Sequence, residues 1–341
     1  MKPWRGPAND HARAADPAVP GLLGRVPPVS FFLVSAVFHY LGPSLAVLLF
    51  AKVSVLGVAW LRVVTAAVVF AAWRRPWRLI ARLTGSQRFI LAALGVVLAL
   101  MNAVFYLAVD RLPLATVSSI EFLGTVILAA AGTRTKRNLA AFIITIGGVA
   151  LLTEVHLTAQ LTGYAFAFAN CAGFMLYVIL AHRIATTAAT SRAAGPGGAG
   201  GKQLAGVDQL GAAMLIAALV ITPIGAGAAA AAFARPVLLA AGAGVGICSS
   251  VIPYVTDQLA MARLPRPTFA LMLALLPAAA TLIGLFVLRQ VPSARDLAGI
   301  GLVIAGIATH HGPAPPPGPP STPAASAPRR QKDRCPDGMA C

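Results

Sequence analysis

An acidic and a basic residue stand in the middle of long apolar runs of this sequence: Glu121 in LATVSSIEFLGTVILAAAG and Arg62 in VLGVAWLRVVTAAVVFAAW. A charge at mid-span costs roughly 2.5–3.5 kcal/mol on insertion scales, so it usually faces a bundle interior or a water-filled cavity. Glu121 could bind a proton or a substrate, or it could be a structural carboxylate that a partner neutralises; the first is favoured because charges within the membrane usually serve a function. Because the two residues stand at similar depth, they could pair as a gate, or Arg62 could hold a substrate carboxylate. A contact between two helices, with no substrate, explains Arg62 equally well.

Other polar residues recur within apolar runs and could line a cavity around Glu121 and Arg62. Side chains one helical turn apart share a face, and hydrogen bonding between helices is the more frequent use of such Asn and Tyr residues. Asp257 stands at the end of an apolar run, near the membrane boundary, where burying a charge costs little free energy. This position slightly favours a carboxylate at the membrane interface over a group that binds substrate or proton. The cavity-lining candidates are His39, Tyr40, Asn102, Tyr106, Ser118, Thr125, Asn170, Tyr177, Ser250 and Tyr254.

Three prolines lie inside apolar runs, where each should kink or break a helix. Pro43, Pro253 and Pro277 each lack the N–H group that an α-helix needs. Broken helices near the middle of a membrane often mark transporter binding sites, although a single proline is also common as plain geometry. The Gly-rich segment Gly242–Gly246 predicts close helix packing through small residues.

The composition is that of a polytopic membrane protein. Hydrophobic residues make up 58% of the 341 residues and charged residues 11%, with a mean hydropathy of +0.79, whereas soluble domains are about a quarter charged. The net charge of +17 lies between the apolar runs and in the tails, which argues against nucleic-acid binding. The sequence has no P-loop and no metal-ligand spacing. We therefore predict no cofactor, no metal and no enzymatic activity.

The apolar runs predict an all-helical protein with ten transmembrane spans, because backbone groups in lipid must be satisfied within a segment. Most of the 27 Lys and Arg residues fall on one side, which predicts that both termini are cytoplasmic. The predicted spans are 29–50, 53–73, 89–109, 112–132, 138–154, 162–182, 209–231, 237–258, 267–288 and 296–310.

An internal match indicates that the chain is built from two halves. Tyr106–Thr116 (YLAVDRLPLAT) and Gln258–Thr268 (QLAMARLPRPT) share six of eleven positions. Asn138–Ala150 likewise resembles Asp296–Ala308. Five spans in each half require the second half to be inverted relative to the first. The predicted divisions are a disordered N-terminal tail 1–28, repeats 29–154 and 155–310 with a flexible Gly-rich loop at 184–206, and a disordered C-terminal tail 311–341.

Several motifs resemble those of the EamA-type drug/metabolite transporter superfamily, nearest its threonine/homoserine exporter group. The resemblance covers about 29–310 and implies export of a small metabolite by proton-coupled alternating access. Two positions depart from the group's pattern: Thr125 stands where a proline is usual, and Leu276 where an acidic residue is usual. The matching motifs are Leu61-Arg62, Ile120–Gly124 (IEFLG), Ser249–Tyr254 (SSVIPY), the Arg-Leu-Pro corner and Thr268-Phe269.

We therefore expect a secondary transporter of the bacterial plasma membrane that exports an amino acid such as threonine or homoserine. Broad efflux of drugs or cations is the main alternative, and a membrane enzyme or a non-transporting sensor is the other. The expected partners are a small-molecule substrate and membrane lipid, with no nucleic acid and with a homodimer left open.

Overall fold

The computed structural model of the protein describes residues 27–132, 135–153, 161–192, 199–263, 272 and 275–309. Within these ranges the chain is helical and contains no strand, which confirms the all-helical prediction. The first helices are α1 (Pro28–Leu49), α2 (Val55–Arg74), α3 (Trp77–Arg82), α4 (Gly85–Val109), α5 (Leu114–Gly132) and α6 (Lys136–Thr153). They are followed by α7 (Leu161–Arg192), α8 (Ala199–Ala228), α9 (Ala230–Phe233), α10 (Pro236–Gly246), a π-helical turn (Ile247–Val251), α11 (Ile252–Arg263), α12 (Leu276–Leu288) and α13 (Ala294–Thr309).

Six of these helices are long and apolar enough to cross a membrane: α1, α2, α4, α7, α8 and the continuous α10–α11 segment. Shorter apolar helices occupy Leu114–Gly124 and Leu276–Leu288. Large apolar side chains such as Phe89, Leu219 and Phe286 are exposed on outer helix faces, where lipid would cover them. The chain is therefore a multi-pass membrane protein, and the count of ten spans stays a prediction.

The structure differs from the sequence prediction around the Gly-rich loop. The helix α7 continues to Arg192, and α8 begins at Ala199, so helix occupies both sides of the loop predicted at 184–206. Alanine, frequent on both sides of the glycines, has the highest helix propensity. Residues 193–198 and both predicted tails, apart from residues 27 and 28 at the start of α1, lie outside the described residues.

Local sequence explains where several helices begin. Ser54 accepts a hydrogen bond from the backbone of Gly57 at the start of α2. Thr84 and Gln87 form a reciprocal capping box at the start of α4. Such bonds satisfy backbone N–H groups that have no partner within the helix.

The helices α2 and α8 run antiparallel and are in contact over the whole length of α2. At one end the Ser54 hydroxyl donates to the Ala228 carbonyl at 2.9 Å. In between, Trp60 Nε1 donates to Thr222 Oγ1 at 2.9 Å. At the other end, Arg74 donates to both carboxylate oxygens of Asp208, at 2.7 and 3.1 Å. We call this contact the α2–α8 seam.

The helices α6 and α13 also pack antiparallel, through glycines. Gly148 lies against the backbone of Gly299 and against Val303, while Gly306 lies against Ala141 and Thr145. A Cβ atom on Gly148 would lie 2.7 Å from the Gly299 carbonyl oxygen. This pair of helices therefore depends on the absence of side chains at the crossing.

We expect Gly148→Ala to destabilise the protein by about 1–3 kcal/mol, because the added methyl group overpacks a backbone contact. The matched control is Gly147→Ala, since a Cβ atom on Gly147 meets nothing within 4 Å. That control should be neutral, or more stable by about 0.5–1 kcal/mol through helix propensity. Thermal unfolding in detergent measures both variants. If both variants had the same midpoint temperature of unfolding, the close crossing of α6 and α13 would be contradicted.

Candidate functional site

Arg62 reaches the π-helical turn because α2 and α10 pack closely. Gly242 lies against Leu61, and Gly246 lies against the Arg62 carbonyl and Thr65, as predicted for a segment of small residues. A side chain at either glycine would push the helices apart. The Arg62 side chain, 6% exposed, is thereby placed between α2 and the turn.

Two hydrogen bonds fix the Arg62 guanidinium. Its Nε donates to Ser250 Oγ at 2.9 Å, and its Nη2 donates to the Ser249 carbonyl at 3.1 Å. That carbonyl lies four residues before Pro253, which has no N–H group to offer it as a helical donor. The proline predicted to break a helix therefore acts through a local π-helical turn, and the carbonyl in that turn accepts a bond from Arg62.

Two aromatic rings border the same guanidinium. The Arg62 Cζ atom lies 5.3 Å from the ring centre of Tyr106 and 6.0 Å from that of Phe105, within the range of cation–π attraction. Arg62 Nη1 makes no hydrogen bond with any described residue. An N–H pair of this guanidinium is therefore free to bind a ligand.

Glu121 lies on α5 and is 7% exposed. It is near enough to Arg62 and to the Asn170 side chain to interact with both. Glu121 and Arg62 nevertheless form no ion pair with each other: neither belongs to the ion pairs seen among the described residues, such as Arg74–Asp208 and Arg111–Asp110. The acid and the base share a buried region without neutralising each other by a salt bridge.

A second part of this region joins α1 to α5. The Tyr40 hydroxyl and the Ser118 hydroxyl are 2.6 Å apart, and both side chains are fully buried. The His39 ring lies edge-on to Tyr40, with 5.2 Å between ring centres. His39 is also close enough to Arg62 for the two side chains to interact electrostatically. Both predicted residues of α1 are thus near the charged pair.

Tyr254 connects the charged pair to Asp257. Its hydroxyl interacts electrostatically with Arg62, Glu121, Asp257 and Tyr106. Tyr177 interacts with Tyr254 and Asp257. Asp257 itself is only partly exposed and lies beside Ser35 on α1. It therefore lies close to the polar cluster, and the choice between an interfacial carboxylate and a substrate- or proton-binding group stays a prediction.

Local structure accounts for three other predicted residues. Asn102 Nδ2 donates to the Leu98 carbonyl at 2.7 Å, one turn earlier in its own helix. Pro43 lies inside a continuous α1. Pro277 occupies the first turn of α12, where a proline is well tolerated. The side chain of Thr125 lies outside the described residues.

Two groups in the cluster were missed by the sequence analysis. The Ser249 carbonyl is a partner of Arg62, and its place four residues before Pro253 was the signal available. Phe105 borders the guanidinium, and its place next to Tyr106 gave no such signal. Within the described part of the chain, no group of three or more His, Cys, Asp or Glu side chains could hold a metal ion.

The centre of the cluster is buried, whereas Tyr254 and Asp257 at its edge are partly exposed. Tyr40, Tyr106 and Ser250 are fully buried. A cavity of about 400 Å³ lies elsewhere, bordered by Lys52, Arg235 and Leu238 at the ends of α1 and α10. None of the predicted site residues borders this cavity. A multi-pass bundle that buries an unpaired acid and base in its interior has the make-up of a membrane transporter.

Comparison with known proteins identifies the family. The chain is 30% identical over 293 residues to the threonine/homoserine exporter RhtA of Escherichia coli K12, covering 84% of this chain and 93% of that protein. It is 28% identical over 293 residues to RhtA of Salmonella typhimurium SL1344, with the same coverage. The chain therefore belongs to the RhtA family, a group of EamA-type drug/metabolite transporters. It is a transporter and not an enzyme.

A solved crystal structure shares the fold. It aligns with a TM-score of 0.51 at 18% identity, over 82% of this chain and 96% of that chain. No protein-family model matches the sequence.

Proposed function

We propose that this protein exports an amino acid of the threonine/homoserine class, and that the substrate binds between Arg62 and Glu121. The observation that carries the proposal is that these buried, oppositely charged side chains do not pair with each other. A zwitterionic amino acid carries one charge of each sign and can satisfy both. The RhtA relatives, named as threonine/homoserine exporters, support the same substrate class.

The chemistry of each side chain fits one end of the zwitterion. The free Nη1 edge of Arg62 would donate to the substrate carboxylate, since a planar guanidinium matches that group. Glu121 would accept from the substrate ammonium. Because Ser249 and Ser250 already hold the other side of the guanidinium, Arg62 would need little reordering when a substrate binds.

Proton coupling is the second part of the proposal. In the absence of substrate, a proton would neutralise Glu121, and the substrate ammonium would replace it. Because the proton and the substrate bind to the same carboxylate in turn, entry of a proton into the cell would be coupled to export of a substrate molecule. Transport would proceed by alternating access, in which the cluster opens to each side of the membrane in turn.

Two inverted repeats form the proposed scaffold, with α1, α2, α4, α5 and α6 matching α7, α8, α10–α11, α12 and α13. The contacts between helices support this, because they come in matched pairs. The contact of α4 with α7 has its counterpart in that of α1 with α11, α5–α7 in α1–α12, and α4–α8 in α2–α10. Three further contacts join a helix to its own counterpart in the other repeat: α2–α8, α5–α12 and α6–α13.

The crossing of α6 and α13 supports inversion in more detail. The two helices match in sequence at a shift that brings Gly148 onto Gly306 and Ala141 onto Gly299. When each residue is replaced by its counterpart in the other helix, the contact between Gly148 and Gly299 becomes a contact between Gly306 and Ala141. Both contacts are present in the structure. Since the helices are antiparallel, the two-fold axis relating them is perpendicular to their length. Such an axis lies in the membrane plane and inverts one half relative to the other.

The proposed location is the bacterial inner membrane, with both termini in the cytoplasm. The excess of Lys and Arg on one side of the predicted spans supports this orientation. The threonine/homoserine exporters of Escherichia coli and Salmonella typhimurium are bacterial proteins, which supports the same membrane.

Counterflow in liposomes tests the proposed function. We expect purified protein in liposomes loaded with unlabelled threonine to accumulate labelled threonine from outside, and unlabelled homoserine to compete. Ethidium, an apolar cation, should compete only weakly, because it offers no carboxylate to Arg62. Liposomes without protein are the control. Transport of ethidium without counterflow of any amino acid would replace the proposal with broad cation efflux.

A further inference from the structure

Two deeply buried side chains in the cluster have polar atoms without a hydrogen bond. The Tyr106 hydroxyl and both the nitrogen and the oxygen of the Asn170 carboxamide lack a partner in the protein. The two residues are 0% and 1% exposed. Buried polar side-chain atoms are nearly always hydrogen-bonded, so each exception calls for an explanation.

Their position points to a ligand. Tyr106 packs on the Arg62 guanidinium, 5.3 Å from Cζ to ring centre. Asn170 lies beside Glu121, where its amide nitrogen interacts with the carboxylate from beyond hydrogen-bond distance. One unpartnered group therefore borders each end of the proposed zwitterion site. The rest of a substrate held between Arg62 and Glu121 would be near both groups.

The unpartnered atoms have the chemistry to bind a hydroxyl group. A hydroxyl offers one donor and two acceptor lone pairs. The Tyr106 hydroxyl can donate to it, and Asn170 can donate through nitrogen or accept through oxygen. An aliphatic side chain in the same place would leave the Tyr106 hydroxyl and the Asn170 oxygen without a partner, which is unfavourable in a buried site.

We propose that Tyr106 and Asn170 recognise the side-chain hydroxyl of the substrate, so that the protein selects hydroxylated amino acids over aliphatic ones of similar size. This inference rests on the proposed function, since it takes Arg62 and Glu121 to hold the amino acid's charged groups. Threonine and homoserine both carry such a hydroxyl group. Both also have the same deoxygenated parent, 2-aminobutyrate, which provides one reference compound for each.

The test compares labelled threonine with labelled 2-aminobutyrate in the liposome assay, as initial rates over a range of concentrations. We expect wild-type protein to prefer threonine by about 10- to 100-fold in rate over apparent affinity, as expected when a polar site rejects an analogue that lacks the matching group. Tyr106→Phe and Asn170→Leu should each reduce this preference to within about threefold. Threonine transport should fall, while 2-aminobutyrate transport should stay level or rise.

Two control variants separate recognition from structure. Ser119 is also buried with an unpartnered hydroxyl, but it is two residues from Glu121 and so projects from a different face of α5. Tyr164 donates to the Leu152 carbonyl at 3.2 Å, away from the cluster. Ser119→Ala and Tyr164→Phe should leave the threonine preference unchanged.

The outcomes distinguish this inference from the proposed function. Equal transport of threonine and 2-aminobutyrate by wild-type protein would overturn the inference without any variant. An unchanged preference in Tyr106→Phe, or an equal loss of both substrates, would also overturn it while leaving amino-acid export intact. If wild-type protein transports neither compound, both the function and this inference fail.

Discussion

Glu121→Gln protein is expected to fold normally and to lose about 100-fold or more of its proton-driven threonine transport. Glutamine has nearly the same shape as glutamate but carries neither a charge nor an exchangeable proton. Removing one partner of a buried charge pair costs about 3–5 kcal/mol, which corresponds to a factor of roughly 100 or more in binding. Here the pair would be Glu121 and the substrate ammonium.

The measurement is threonine accumulation in liposomes under an imposed pH gradient, compared with counterflow without a gradient. Asp208→Asn is the matched control, because it removes an acid from the partly exposed bridge with Arg74 and not from the cluster. The control should transport at nearly the wild-type rate, since surface ion pairs contribute little. If Glu121→Gln protein still accumulated threonine in response to the gradient, Glu121 would not be the coupling residue.

Arg62→Lys is expected to weaken threonine binding by about 30-fold or more, even though it keeps the positive charge. Truncating a buried, hydrogen-bonded charge at a binding site costs about 2–5 kcal/mol. A lysine ammonium cannot reproduce the geometry that joins Nε to Ser250 and Nη2 to the Ser249 carbonyl, and it offers no planar edge to a carboxylate.

Concentration dependence of threonine counterflow measures this effect as a rise in the half-saturating concentration. Arg74→Lys provides the control, since Arg74 sits in the α2–α8 seam and outside the cluster. We expect that control to change the half-saturating concentration less than about threefold. A wild-type value for Arg62→Lys protein would show that Arg62 connects helices and does not bind the substrate.

The helices were the part of the structure that could be predicted most directly. Apolar runs of about 20 residues predict helices in a membrane, and the long apolar helices found here occupy such runs. The burial of Arg62 and Glu121 also followed from sequence, because charges within apolar runs face a protein interior. Both conclusions depend on local composition alone.

The partners of these charges could not be predicted, because they come from distant parts of the chain. The bond from Arg62 to the Ser249 carbonyl spans 187 residues and depends on the close packing of α2 against α10. Asn102 has a local partner instead: its side chain donates to the Leu98 carbonyl of its own helix, and its place at a cavity stays a prediction. The choice between these outcomes depends on rotamers and neighbours that a hydropathy pattern does not contain.

The α2–α8 seam has a consequence for how the protein can change shape. Hydrogen bonds join these two helices at both ends and in the middle, so separating the helices would break several polar contacts at once, although each one alone contributes little. In the proposed alternating-access cycle, α2 and α8 would therefore move as one unit, and the helices that flank them would move to admit or release the substrate. Arg62, which lies on α2, would keep its position relative to α8 throughout that cycle, while Glu121 on α5 would move relative to Arg62.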